Sequence, residues 1–474
     1  MDGEATLSLP ETTADEASLK YILRLSWPIV VTNISFTIMQ FVNRLMVADL
    51  GTEALAAILP AGVISMVPAS FAIGVTTSVT TFVSQNLGKG SKKDCSSYCW
   101  QAMYMGMIYS VIVAAIMWPA APWIFKVLGH EPAVAELEVI YLRIMLYTLI
   151  PVISVWACSQ FFMGIHRPII TMYAAIVAQA VNIVFNYLLI FGKFGFPKMG
   201  IAGAGWGTFI GVMVGAAIRM SVFLGGKMNA DFKSRQTINI DFGKMRDLLK
   251  IGLPSGVGVL INVSLWGIIL FGLVGKFGKE ALAATSAVFS YINVAIMPVV
   301  GIGIALTAVA GKAIGRDRRD IVVKQTGLCL KIAVLYMAAV SLYFFVFKES
   351  LMTFFSVDNK VIGTGTDILI CAAIFQIFDA AAIIYSSALR GAGDTMWPAL
   401  ISAIGTVVIL GVGGSFTVKF FPQFGAVGPW IADTISAVLV GLAMLWRFKS
   451  NGWMKIDLFK RRTTVPIEIE PVID

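Results

Sequence analysis

The sequence predicts an all-α integral membrane protein, with twelve transmembrane helices in two parallel six-helix repeats facing one another across a central cleft. Three observations carry this reading. Hydrophobic residues make up 58% of the chain and charged residues 13%, with a mean hydropathy of +0.83. A soluble domain carries about 25% charged residues and could not cover so much apolar surface. The apolar residues fall in runs that match the roughly 20 residues a spanning helix needs. The first half of the chain is also repeated in the second at a constant offset.

The spans are predicted near 21–43, 54–80, 98–118, 138–160, 169–191, 202–225, 251–274, 281–310, 325–347, 366–389, 397–418 and 427–447. The second and eighth are long and contain Pro60, Pro68 and Pro298, so they are expected to bend or tilt. The resulting division is an N-terminal tail (1–20), an N-terminal bundle (21–225), a basic linker (226–250), a C-terminal bundle (251–447) and a C-terminal tail (448–474). Within the linker, "INIDFGKMRDLLK" (238–250) is suited to a short interfacial helix.

Charge orients the chain. An even number of spans puts both termini on one side. Of the 36 Lys and Arg, 24 lie in tails and loops on that side, nine on the other and three within spans. The positive-inside rule then places both termini in the cytoplasm of a multi-pass protein of the cell inner membrane. The net charge of +9 is therefore a topology signal, and nucleic acid is not an expected partner. The five cysteines form no CxxC pair, so neither a disulfide framework nor a zinc site is indicated. The acidic N-terminus lacks a signal peptide's basic start. "GAGWG" (203–207) lies in a span with no strand before it and reads as helix packing. No "GxxxxGK[ST]" occurs, which argues against ATP hydrolysis. No nucleophile–base or metal set appears, so the chain is expected to be neither an enzyme nor the holder of a cofactor.

The repeat is visible residue by residue. "GTEALAA" (51–57) returns as "GKEALAA" (278–284), 227 positions later. "LSWPIV" (25–30) aligns with "IGLPSG" (251–256), and "MGIAGAGWGT" (199–208) with "FGAVGPWIAD" (424–433). Units of six spans insert the same way up, related by an axis along the membrane normal, as in transporters. Rocking of the two bundles would then give alternating access. Glu53 and Glu280 fall at helix starts and are expected to act as caps. Arg143, Arg219 and Lys331 are expected to snorkel.

"LGTEALAA", "FFMGIHRP", "NIVFNYLLIFGKFGFPKMGIAGAGWGT" and "SSALRGAGDT", in this order and spacing, resemble the multidrug and toxic compound extrusion (MATE) family. The likeness runs from about Leu25 to Arg447 and is strongest to the bacterial sodium- or proton-coupled branch. It implies a V-shaped two-bundle fold acting as a monomer in the bilayer. It also implies export of small amphipathic organic cations, driven by inward H⁺ or Na⁺.

Asp379, in "IFQIFDAAAIIYSSALRGAGDT", is the leading site residue. A carboxylate at mid-membrane costs roughly 2.5–3.5 kcal/mol and faces a bundle interior or wet cavity. Burial makes a carboxyl group easier to protonate, so one residue can bind a proton or attract a cationic substrate. The resemblance implies a coupling role at this place. It also implies carboxylates where this chain has Asn262, eight residues after Pro254, and Asn43, near the end of span 1. Two neutral amides there favour H⁺ over Na⁺ as the coupling ion, because small hard cations prefer charged oxygen ligands. Asn182, Asn186, Gln40 and Asp433 are candidate cavity residues, with interhelical hydrogen bonding as the alternative for the amides. Pro28 and Pro254 match across the repeat and are candidate bends. A lipid-linked saccharide flippase of the same superfamily is the alternative function; it calls for an intramembrane Arg/Lys cluster, and none is evident in spans 1, 2, 7 or 8.

Overall fold

The computed structural model describes residues 18–129, 131–355 and 357–459. Most of the expected N-terminal tail, the chain beyond 459, and His130 lie outside them. Twelve helices are long and apolar enough to cross a membrane. They are α1 (Leu19–Ala48), α2 (Ala56–Gly88), α3 (Lys92–Val127), α4 (Pro132–Gly164), α5 (Pro168–Phe191), α6 (Ile201–Phe223), α7 (Phe242–Leu265), α8 (Lys279–Gly315), α9 (Arg319–Val346), α10 (Asn359–Gly391), α11 (Met396–Phe420) and α12 (Val427–Lys449). No strand occurs among the described residues.

The repeated "G-x-EALAA" is explained by the backbone. The second helix starts at Thr52 and α8 at Lys279, each preceded by a glycine at positive φ, Gly51 at 111° and Gly278 at 98°. Only glycine adopts such angles freely. Glu53 and Glu280 follow in the first turn, where negative charge offsets the helix dipole.

Helices α1–α6 pack among themselves, as do α7–α12, giving two six-helix bundles. The bundles meet chiefly through α2, packed on α7 and on α8, and through α1 on α8. These contacts fall at the end of the molecule where the described chain begins and ends. A Cβ on Gly301 of α8 would lie 2.6 Å from Val30 of α1. One on Gly74 of α2 would lie 2.6 Å from the Cα of Gly256 on α7. Close approach of small residues is how membrane helices gain packing energy, because lipid offers no hydrophobic drive between them. Beyond this seam, the second halves of α1 and α7 are free to diverge, leaving a cleft toward the opposite face. Pro28, whose carbonyl accepts from Thr32, and Pro254, beside Ser255, both sit within the seam segments.

Polar contacts close the same end. Thr81 Oγ1 donates to the Arg390 carbonyl at 2.9 Å, and Gln85 Nε2 to that of Gly391 at 3.0 Å. His166, between α4 and α5, lies 2.5 Å from Tyr21 Oη through Nδ1 and 3.1 Å from the Ala308 carbonyl through Nε2. The chain after α12 crosses back over the seam: Phe459 meets Phe82 edge-on, with Lys89 above its ring.

Segment 238–250 is not a separate interfacial helix. Asp241 caps the helix that starts at Phe242 and continues into the membrane as α7. Lys244 contacts Asp94 at 2.7 Å and Ser97 at 2.8 Å, so the first turns of α7 are fastened to α3 of the other bundle. Arg219 does not snorkel. It is 4% exposed and donates to the carbonyls of Gly215 and Thr171; backbone oxygens, rather than water, solvate its guanidinium. Lys331 is exposed, and half-buried Arg143 stacks on Trp118.

Two outcomes follow from the seam. Gly74→Val drives a branched side chain into the backbone of Gly256, an overpacking that costs about 1–3 kcal/mol. Spin labels at exposed Lys92 and Arg319 should therefore report a longer distance across the terminus end. The second concerns His166, whose pKa is held down to about 3, chiefly by burial and then by Lys312. Once the seam parts and the ring is hydrated, its value returns to about 6.5. Proton uptake then favours the parted state as pH falls below 6.5, and the closed seam keeps its full stability above that value. Acidifying from pH 7.5 to 5.5 should raise the parted-to-closed ratio about tenfold, one pH unit below the free value. His166→Gln, read by the same labels, should remove that component.

Candidate functional site

Asp379 lies in the middle of α10, the central helix of the C-terminal bundle, which packs on α8, α9 and α12. On one flank, Ile383 and Ser387 of α10 face Gly303 of α8; on the other, Phe378 faces Gly441 of α12. Helical spacing sets Asp379 between these two lines of contact. Its side chain is half-buried and makes no hydrogen bond or ion pair with any described residue. A structural carboxylate in a membrane is paired or hydrogen-bonded; this one is left available.

The second polar centre lies in the N-terminal bundle, where α1, α5 and α6 meet. Asn43 Nδ2 donates to Asn182 Oδ1 at 3.0 Å, and Asn186 Nδ2 donates to Asn43 Oδ1 at 2.8 Å. Asn182 Nδ2 donates to Thr208 Oγ1 at 3.1 Å, and Thr208 in turn donates to the Ala204 carbonyl. Gly207 leaves room for the Asn186 amide, since a Cβ there would overlap its oxygen. All three asparagines are buried. The candidate coupling residue Asn43 and the candidate cavity residues Asn182 and Asn186 thus form one neutral network. Asn186 Oδ1 alone has no partner in it. Amides here bind one another and neither gain nor lose a proton at physiological pH.

The remaining candidates are dispersed. Asn262 is exposed and donates to the carbonyl of Gly258 on its own helix, at 3.3 Å. Gln40 is exposed on the half of α1 beyond the seam. Asp433 is buried and engaged by neighbours. The adjacent Thr434 reaches the carbonyl of Cys371, eight residues from Asp379, or about 12 Å along the axis at 1.5 Å per residue. Asp433 is therefore not beside Asp379. It occupies in its bundle the place that Thr208 holds in the amide network.

Two features were not anticipated. The helices of spans 7 and 11 widen into π-helix at Ile261–Trp266 and Gly405–Gly413, and the two segments pack against each other. Such widenings concentrate at functional sites. Asn262 competes for the Gly258 carbonyl that its own backbone N–H would otherwise use, and glycines at 405, 411, 413 and 414 lower the cost of the second. The other is Gln376, fully buried one turn before Asp379.

A duplicated twelve-helix bundle pair, closed at one end, with an unpaired carboxylate in one half and a neutral amide network in the other, defines a membrane transporter. The MatE family model matches the chain twice, over residues 28–188 and 254–413, so the match restarts 226 positions on, from 28 to 254. The chain belongs to the MatE family. It is 27% identical over 449 residues to the "Probable multidrug resistance protein NorM" of Mesorhizobium japonicum, covering 93% of this chain and 94% of that one. It is 28% identical to the protein of the same name in Shewanella oneidensis, covering 89% and 93%. Among solved structures, a mutant form of the Vibrio cholerae MATE transporter VcmN superposes with a TM-score of 0.85 at 18% identity, over 94% and 99% of the two chains. A MOP superfamily transporter from Pyrococcus furiosus gives 0.83 at 20% identity, over 92% and 97%. These likenesses bear out the fold.

The amide network makes a stability prediction. Asn182→Ala removes the acceptor of the Asn43 amide and leaves that buried N–H group without its partner, while Thr208 keeps its bond to the Ala204 carbonyl. Each buried polar group left unpaired costs about 1–3 kcal/mol. Thermal unfolding in detergent should show a lowered midpoint, while Gln40→Ala, at an exposed side chain, leaves it within the spread of repeats.

Proposed function

We propose that the chain is a multidrug exporter, an antiporter that moves amphipathic organic cations outward by alternating access as protons flow in. Both termini are cytoplasmic, as the excess of basic residues on their side indicates. The seam then closes the cytoplasmic end and the cleft faces outward. The observation that carries this reading is Asp379: half-buried, mid-membrane and without a partner. In its charged form it attracts a cation; protonated, it does not. One site used by both couples them by competition, since loading a proton releases the substrate. The NorM names of the relatives support drugs as the cargo.

Protons are favoured over Na⁺ by the company Asp379 keeps. A sodium ion wants several oxygen ligands, charged ones above all. Asn43 is committed to Asn182 and Asn186, and Asn262 to Gly258. To bind Na⁺ the Asn43 oxygen would have to give up its bond from Asn186, whereas Asn262 bonds Gly258 through Nδ2 and keeps its oxygen; neither amide adds charge. The flippase alternative is less well supported: α7, α8 and the membrane part of α2 offer no lysine or arginine between 251 and 274, 281 and 311, or 56 and 88 to hold a pyrophosphate.

The test is export of a fluorescent organic cation from proteoliposomes under separately imposed H⁺ and Na⁺ gradients. Wild type should export on the proton gradient alone. Asp379→Asn keeps the shape and loses the titration, and its proton-driven rate should fall to that of protein-free liposomes. Undiminished export by the mutant would overturn the assignment; export on Na⁺ alone would overturn the choice of ion.

A further inference from the structure

We infer that Gln376 is a positioning residue for Asp379, its amide oxygen receiving the hydrogen bond of the protonated carboxyl group. The inference rests on the proposed role of Asp379 and extends it to a residue that would otherwise read as packing. Gln376 is 0% exposed within an apolar bundle. Its Nε2 donates to the Ala372 carbonyl of its own helix at 3.2 Å, and its Oε1 has no partner among the described residues. Leaving the amide oxygen buried and unpaired in such a setting costs about 1–3 kcal/mol. Three residues on, and therefore on the neighbouring position of the same helical face, is Asp379, which also lacks a partner.

The chemistry of the pair follows from what each atom can do. One of the amide's two N–H groups is engaged by the Ala372 carbonyl, and the atom left wholly without a partner is the oxygen, which is the group offered to Asp379. An acceptor beside an ionised carboxylate sets two partial negative charges together. Beside a protonated carboxyl it completes an O–H···O bond. Gln376 therefore disfavours the empty state of the carrier and favours the loaded one, which strengthens proton binding at the place where release must later occur on opening.

The surroundings leave this pair electrostatically alone at its level. Residues 281–311 of α8, 251–274 in and after α7, and 396–418 of α11 contain no acidic or basic side chain. On α9, Lys324 and Lys331 are exposed and point away from the bundle. On α12, Asp433 lies about a dozen ångströms toward the other face by helical rise, and Arg447 is held by Asp394. On α10 itself, Asp367 is exposed and Arg390 bonds Ser386. Tyr336 of α9 donates to the Ala295 carbonyl.

The experiment measures the pH midpoint of proton-driven export in proteoliposomes for Gln376→Leu, Gln376→Met and Gln376→Glu. Leu and Met remove the acceptor, and the midpoint should fall by about one pH unit, the tenfold loss of proton affinity expected for one hydrogen bond to the protonated form. Glu adds negative charge at the same place, and the midpoint should rise. A residue that merely packs would shift every variant the same way, or none. If Leu misfolds, the near-isosteric Met and the Glu variant carry the test. Unmoved midpoints, or shifts of one sign in folded variants, overturn the inference. Asp379→Asn separates the two ideas: if it still exports on protons, the coupling assignment fails. If it is inactive while the Gln376 variants keep the wild-type midpoint, only the role of Gln376 fails.

Discussion

The close approach of two backbones at one end of the molecule is the constraint on which the rest depends. Gly74 meets Gly256, Gly252 meets Val75 and Gly301 meets Val30, with no room for a Cβ at any of the three. In lipid, apolar helices have no reason to leave acyl chains for one another, so association relies on intimate contact and on hydrogen bonds. Both are concentrated here, the bonds being those of Thr81, Gln85 and His166. Because each bundle's first helix touches the other bundle chiefly through its terminus-side half, the remaining halves are not obliged to meet. The cleft is the consequence of where the glycines are.

The duplication then shows what two copies of one scaffold can hold. The N-terminal copy keeps a ring of amides joined to each other and to Thr208. Nothing there titrates, and nearly every polar atom is satisfied, so the network ties α1 to α5 and α6. The C-terminal copy has Asp433 where the first has Thr208, and Asp379 in the middle of α10 without any bond. Under the proposed function, the N-terminal half contributes stability and the C-terminal half the proton chemistry. A charge left unpaired within a folded bundle is costly, and under that function it is kept for the proton it carries.

Much of this is legible in the chain itself. Apolar runs of membrane length and a heptapeptide returning after 227 residues are local signals, and each names a helix or a pair of equivalent helices directly. Asp379 stands out for the same reason, being one charge in a long apolar run. The amide network is not legible as a unit, because Asn43 and Asn182 are 139 residues apart and their meeting depends on the rotation of two helices about their axes. The start of α7 misleads for a related cause. Segment 238–250 is amphipathic, which suits a surface helix, and only the Lys244–Asp94 contact reveals that it is the root of a span. Arg219 falls under a general rule for basic residues near span ends. The rule fails where two carbonyls, of Gly215 and Thr171, replace water. The π segments leave no pattern that a helical wheel detects, since widening shifts the register itself.

The helix that bears the carboxylate also bears the latch. α10 runs unbroken from Asn359 to Gly391, and its last residues offer the Arg390 and Gly391 carbonyls to Thr81 and Gln85 of the other bundle. Eleven residues separate Asp379 from Arg390, a rise of about 17 Å along a straight helix. A helix packed on α8, α9 and α12 over its length does not bend freely between those points. Under the proposed function, a change in how Asp379 sits against its neighbours on losing or gaining charge would tilt or shift the whole rod, and the rod's end is the seam. Under the proposed function no relay of side chains is required between ion site and gate. The two are opposite ends of one rigid element, whose position both the proton and the seam contacts bias.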